Sequence, residues 1–425
     1  MKKSNDSKLL IFRFTFICLF LIASICYGQI KNTINVAKKG IYPIKGIETD
    51  QQKYARWEKI EALFQDARKN KFNLFFPAGV YDVGSRNFPF RTPEYVKNDL
   101  LLDCANITIS GEKGTIFMTS GTGGDVLQLN KVKNITIKNL EITATIQNQK
   151  KHGSNGISIT NGFDNINLDN IKVYDLPGVD VETWVDGNKG LTIQSDIGST
   201  SYMGSITAKN IYVENVAYGF RMDTGHLSDL LKNYKTIKVD VEMTVKKAFQ
   251  GFSMEFGMSQ NDIPDNAKLN IKANIKLQDC QQYIRLGRVI GGKYNFELSK
   301  TENDNRIFND YNNKKWLSVH DGVFGFISYY TKKTDVTIKG NIGNVDTKVW
   351  IGAVGNIVEP FNLRNSTEYN KFYFDIGGKS SDTDLRLISV AGNSLNNNEI
   401  KITKRTTDKI PLEFTSNSNN LIKLK

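Results

Sequence analysis

Apolar and polar residues alternate with a period of two along most of the chain, the pattern of β-strands with one face turned to a core. The clearest run is Asn134-Ile-Thr-Ile-Lys-Asn-Leu-Glu-Ile142. It returns as Asn165-Ile-Asn-Leu-Asp-Asn-Ile-Lys-Val173 and as Ser205-Ile-Thr-Ala-Lys-Asn-Ile-Tyr-Val213, at offsets of 31 and 40 residues. Looser versions begin near Lys235, Leu269, Tyr294, Val336, Tyr373 and Ile400. Periods of this length predict a stacked solenoid. Hairpin turn signals do not stand between every pair of units, so each strand is expected to pair in parallel with its equivalent one repeat later. The aligned Asn139, Asn170 and Asn210 then predict turns whose side-chain amides hydrogen-bond up and down the stack.

One segment follows a different period. Thr49 and Gln52 have capping-box spacing, and Tyr54, Trp57, Ile60, Phe64 and Ala67 recur as one face of an amphipathic helix. A short apolar run, Phe72 to Phe76, follows, and Pro77-Ala78-Gly79 turns the chain into Val80-Tyr81. From about residue 290 the units become looser, with turns such as Glu302-Asn-Asp-Asn305 and Asn312-Asn-Lys-Lys315.

The first residues read as a secretory signal. Lys2, Lys3, Lys8 and Arg13 precede the apolar run Ile17 to Ile25, and Cys26 and Gly28 suit cleavage after Gly28. No later stretch reaches the roughly 18 apolar residues of a membrane span. The organisation expected is a signal over 1–28, a leader over 29–48 and a solenoid over 49–425, with a secreted or periplasmic location. Residues 1–28 carry a net +3, which leaves +9 of the +12 for the exported chain and favours polyanionic partners. Export and the lack of a nucleic-acid motif argue against nucleic acid and for an acidic polysaccharide or oligosaccharide. Cys104 and Cys280 lie several repeats apart, so two free thiols are expected rather than a disulfide.

Thr49-Asp50 followed by the helix, then Asn73-Leu-Phe-Phe-Pro-Ala-Gly-Val-Tyr81, resembles the opening of the pectate-lyase-like superfamily. The resemblance implies an all-β, single-stranded right-handed parallel β-helix with an N-terminal capping helix. It is clear over about residues 46 to 260 and rests on the repeat pattern beyond. The superfamily contains lyases, glycosidases, epimerases and viral spike proteins, so it implies the fold more strongly than the reaction. Trp184-Val-Asp-Gly187 resembles the Trp-Ile-Asp-His of pectate lyases with Gly187 in place of the His, and no Arg-x-Pro-x-x-Arg follows. Pectate-lyase residues are therefore not carried over, and the polygalacturonase motifs do not occur.

Candidate chemistry comes from a second set of strands: Gly156-Ile-Ser-Ile-Thr160, Gly178-Val-Asp-Val-Glu182, Gly219-Phe-Arg-Met-Asp223, Gly251-Phe-Ser-Met-Glu255 and Tyr283-Ile-Arg-Leu-Gly287. With the second and fourth residues inward, the third and fifth form two outward columns. One reads Ser158, Asp180, Arg221, Ser253, Arg285; the other reads Thr160, Glu182, Asp223, Glu255, Gly287. Coils about 4.8 Å apart would bring Glu182, Asp223 and Glu255 together. Such a trio is relieved by Arg221 and Arg285, by a bound calcium ion, or by protonation of one carboxyl for general-acid work. No organic cofactor is implied.

Superfamily lyases combine calcium with a basic residue, so the resemblance implies Glu182, Asp223 and Glu255 as metal ligands and Arg221 or Arg285 as their catalytic partner. Asp180, Trp184, Lys151 and His226 complete a substrate-binding set: Trp184 offers a face for a sugar ring, and Lys151 or His226 a base. The function expected is a lyase cleaving a uronate-containing polysaccharide by β-elimination. The alternatives are a glycoside hydrolase using paired carboxylates of the same face and a non-catalytic glycan-binding or surface-structural β-helix.

Overall fold

A computed structural model describes residues 32–83, 101–102, 104–119, 125–145, 155–178, 187–195, 204–224, 236–256, 268–301, 324–341, 347–352, 367–377, 385–388, 395–404, 412–414 and 419–424. Residues 1–28, expected as a signal, and residues 29–31 of the expected leader lie outside them. Among the described residues, 22 strands join in one array of parallel pairings, and the chain forms a right-handed parallel β-helix.

Each early coil has three sides. Side A contains residues 135–138, 166–169 and 205–209; side B contains 140–144, 171–174 and 211–214; side C contains 127–130, 157–160, 189–195 and 218–224. The three copies found in the sequence stack as predicted, with Ile135 beside Ile166 beside Ile206 on side A. The looser copies also fall in one register, Ala273 to Tyr294 to Val336 to Phe372 to Ile400.

The corners explain the asparagines. Asn139, Asn170 and Asn210 turn the chain from side A to side B with φ of 58°, 52° and 53°. Asparagine enters this left-handed region at less cost than most residues. Asn170 Nδ2 donates to Asn139 Oδ1 at 2.9 Å, and at the next corner Asn165 Nδ2 donates to Asn134 Oδ1 at 2.8 Å. Asn210 departs from the predicted ladder: its Nδ2 donates to Asp169 Oδ1 at 2.9 Å rather than to Asn170. A carboxylate is the stronger acceptor and wins the bond. From the coil that begins at Thr236, no residue between sides A and B has positive φ, and the two sides run on as one strand.

The core is a set of inward columns. On side C, Leu127, Ile157, Leu191, Phe220, Phe252, Ile284 and Phe326 lie side by side, none more than 1% exposed. The Phe220 and Phe252 rings stack at 4.8 Å. Each such side chain contributes about 1.5–3 kcal/mol of transfer free energy. Gly219 is required beside this column, because a Cβ there would lie 2.4 Å from the Gly251 carbonyl oxygen.

Helix α1, Asp50–Asn70, closes the first coil. The predicted capping box is formed: Gln52 N–H donates to Thr49 Oγ1, and Thr49 N–H donates to Gln52 Oε1. Trp57, Ile60, Leu63, Phe64 and Ala67 are buried, and the Phe64 ring sits 6.4 Å from that of Phe76 on the side-A strand Asn73–Phe76. Arg56, on the same helix, pairs with Glu48. Part of the expected leader belongs to the solenoid, since Thr33–Asn35 pairs in parallel with residues 73–75. Cys104 and Cys280 are buried free thiols, as expected, and burial pushes them up to about 11 and about 12. No described helix is long and apolar enough to cross a membrane.

A second ladder, not foreseen, runs inside the late coils. Asn370 Nδ2 donates to Asn398 Oδ1 at 2.9 Å and to the Thr331 carbonyl at 2.8 Å, and Asn370 Oδ1 accepts from Thr334 N–H at 2.9 Å and Thr334 Oγ1 at 2.8 Å. Asn398 repeats the pattern on Asn420 and the Thr367 carbonyl. Removing a buried amide strands its partners, at about 1–3 kcal/mol for each group left without one. Asn370→Ala should therefore cost about 3 kcal/mol or more in urea unfolding. The exposed rung Asn165→Ala should cost about 1 kcal/mol, mainly from its left-handed backbone. Equal losses at the two positions would show that the interior ladder holds nothing together.

Candidate functional site

The site builds outward from side C. Alternation along 219–224 buries Phe220 and Met222 and turns Arg221 and Asp223 away from the core. Register then fixes their neighbours. Arg221 lies between Thr192 and Ser253, and Arg285 follows Ser253. Asp223 lies between Gln194 and Glu255, and Gly287 follows Glu255. The structure therefore brings together Arg221, Asp223, Glu255 and Arg285 of the predicted set.

It corrects the remainder of the columns. The strand next to Asp223 is Lys189–Ser195, so Thr192 and Gln194 stand where Asp180 and Glu182 were expected. Asp180, Glu182, Trp184, Lys151 and His226 lie outside the described residues. Both segments fit the same pattern of a glycine followed by alternation. The residue before each glycine separates them: Lys189 N–H donates to Asn155 Oδ1 and Tyr218 N–H to the Asn188 carbonyl, whereas Pro177, before Gly178, has no N–H to give.

The charges are paired in a graded way. Arg221 Nη2 donates to Asp223 Oδ2 at 3.3 Å, and the Arg221 guanidinium lies 5.4 Å from the Tyr218 ring centroid. Arg288 Nη1 stands 4.0 Å from Glu255 Oε1. Burial raises the proton affinity of Asp223 above that of an ordinary carboxyl; the charge of Arg221 opposes the rise and that of Glu255 adds to it. Asp223 is thus a carboxyl whose surroundings favour the protonated form, as a proton donor requires.

Sequence reasoning missed a polar column one step before the side-C glycines. Asn155 Nδ2 donates to Asp125 Oδ1 at 2.6 Å, Lys189 is 2% exposed, and Gln250 Nε2 donates to Gln282 Oε1 at 3.2 Å. Burial raises the Asp125 carboxyl, with the bond from Asn155 and the charge of Lys189 acting against it. The Lys189 charge also opposes the rise at Asp223, so its ammonium is an electrostatic neighbour of the site. A lysine before a glycine reads as a surface turn, and only register shows it to be interior.

A calcium ion on this face would meet few oxygen donors. Asp223 and Glu255 are the two carboxylates of the described column, and Gln194 adds only an amide. Each carboxylate already faces an arginine, which opposes a divalent cation at the same oxygens. Among the described residues, no three His, Cys, Asp or Glu side chains are grouped to hold a metal ion. The described part of the column therefore fits calcium poorly.

Sides A and B carry a concavity of about 940 Å³ where the corner at Asn210 is lost in the following coils. Tyr212, Glu242, Asn274, Lys276 and Glu297 are among its lining residues. Lys276 and Glu297 pair there at 3.4 Å, so the acidic and basic groups of the lining offset one another.

No family model matches the chain, and no curated protein matches it. The site rests on its geometry.

One pH dependence follows. A carboxyl whose folded pKa lies above its unfolded value of about 3.9 binds a proton more readily in the folded state. Its contribution is fully present below that value and is lost as pH rises through the folded one. Asp223→Asn removes this loss. The melting temperature of the variant relative to the parent should rise between pH 4 and pH 8 and equal or exceed the parent at pH 8. A difference that stays flat with pH would show that Asp223 titrates normally.

Proposed function

We propose that the protein is an exported, carbohydrate-active member of the pectate-lyase-like superfamily that cleaves an acidic polysaccharide along side C by β-elimination. The observation that carries the reading is the pairing of Arg221 with a carboxyl whose proton affinity is raised, on the outward face of a β-helix wall.

Elimination needs three things at a uronate: neutralisation of the carboxylate, removal of the proton on the adjacent carbon, and a proton for the departing glycosidic oxygen. Arg221 and Arg285 supply the first as planar, permanently charged donors. Asp223, when protonated, supplies the third as the carbon–oxygen bond breaks. Lys151 and His226, close in sequence to the ends of side-C strands, are the candidates for the base that takes the carbon-bound proton. The new carbon–carbon double bond conjugates with the carboxylate and absorbs near 235 nm.

A specific observation favours a second reading, glycoside hydrolysis. Asp223 and Glu255 are direct neighbours on adjacent coils, the separation that paired-carboxyl hydrolysis uses, and burial raises the proton affinity of Asp223 as an acid requires.

The purified mature protein should be assayed against uronate polysaccharides with calcium and with chelator, following 235 nm absorbance and reducing ends together. The expected result is new absorbance that survives chelation and falls by about 100-fold or more in Asp223→Asn at unchanged secondary structure. Reducing ends without absorbance would move the assignment to hydrolysis. Silence in both channels across a broad panel would leave a binding or structural β-helix.

A further inference from the structure

Three side chains of complementary chemistry stand in line where the chain enters side C. Leu127, Ile157 and Leu191 lie side by side in consecutive coils, and two residues before each come Asp125, Asn155 and Lys189. Backbone bonds extend the pairing to this level: Val126 N–H donates to the Asn155 carbonyl and Gly156 N–H to the Lys189 carbonyl, both at 2.8 Å. Asn155 is therefore the middle member, with a carboxyl on one side and an amine on the other. Adjacent coils lie about 4.8 Å apart, a gap that the methylene stem of a lysine spans.

Both ends of the Asn155 amide are held. Its Nδ2 donates to Asp125 Oδ1 at 2.6 Å, and its Oδ1 accepts from the Lys189 backbone N–H at 2.9 Å. The first contact sets a carboxyl against the nitrogen that would leave. The second polarises the carbonyl and faces the oxyanion that attack on Cγ would create. Lys189 itself is 2% exposed, and its charge acts on Asp125 across the intervening Asn155. Burial disfavours a charged amine and a charged carboxyl alike, which favours passage of the proton from Lys189 to Asp125 and leaves a nucleophile.

We infer that Lys189 and Asn155 join spontaneously in an isopeptide bond that staples two neighbouring coils, with Asp125 as the proton carrier. The Lys189 ammonium gives a proton to the Asp125 carboxylate, and the free amine attacks Asn155 Cγ. Asp125 then protonates Nδ2 as the Cγ–Nδ2 bond breaks and takes up the proton that the new amide nitrogen sheds. Ammonia departs and, as ammonium, carries off the proton that Lys189 brought. No oxidant or activating group is needed, because the stacked coils supply the proximity. Cys104 and Cys280 are free, so no disulfide joins the described coils. The isopeptide bond would close residues 155–189 into a loop and restrict the unfolded chain as a disulfide does. It also removes the Lys189 charge that opposes the rise at Asp223, and so strengthens Asp223 as a proton donor.

The test is a peptide map of the mature full-length protein, folded at neutral pH, then denatured, digested with trypsin and read by mass spectrometry. The expected product is one branched peptide in which residues 152–172 are joined to residues 173–209, uncut after Lys189 and one ammonia lighter than the two segments together. The intact protein should be lighter by the same ammonia. Lys189→Arg, which keeps the charge and lacks the amine, should restore the full mass. Asn155→Asp should lose water in place of ammonia, and Asp125→Ala should leave the two segments separate. Separate segments 152–172 and 173–189 from the folded parent overturn the inference. So does an ammonia loss that persists in Lys189→Arg, because Asn155-Gly156 would then have closed on its own backbone as a succinimide. Should a variant fail to fold, the parent map still decides the matter, since the branched peptide identifies both partners.

Discussion

The constraint on which everything else depends is the in-register parallel pairing of each coil with the next. Backbone N–H and C=O groups of a strand are satisfied along the axis by its neighbours, so every side chain acquires an address given by its coil and its column. Inward addresses make the apolar columns from Leu127 to Phe326; outward addresses on side C align Arg221 with Arg285 and Asp223 with Glu255. The site is thus a consequence of alternation and register rather than of any local motif.

This explains what the sequence disclosed and what it withheld. The repeat around Asn134, Asn165 and Ser205 was legible because its strands alternate strictly and its corners need a residue tolerant of positive φ. Helix α1 was legible from its cap and its apolar face. The side-C register was legible from Gly219 onward, where successive strands follow at nearly constant spacing. It failed one coil earlier, because Gly178 and Gly190 open equally good alternating runs and only the N–H missing from Pro177 distinguishes them. The cost of that slip was specific: a third carboxylate became an amide, and with it went the strongest argument for calcium.

Other features had no local signal. Lys189 is interior because coils stack over it, and the same residue in a hairpin would be solvated. The Asn370–Asn398–Asn420 ladder stands in the looser part of the chain, where the spacing between rungs varies and no alignment of single residues is evident. Both are products of tertiary stacking, which propensity and periodicity do not encode.

The spacing of the strands along the chain has an evolutionary consequence. Side-C strands end at Ser195, Thr224 and Phe256, and the chain resumes side A at Gly204, Thr236 and Lys268. Axial pairing alone sets the lattice, so a change in the number of residues between two strands leaves every wall position in its coil and column. A lineage can therefore lengthen, shorten or exchange those intervening residues while the order of arginines and carboxylates along side C stays fixed, without renegotiating the core.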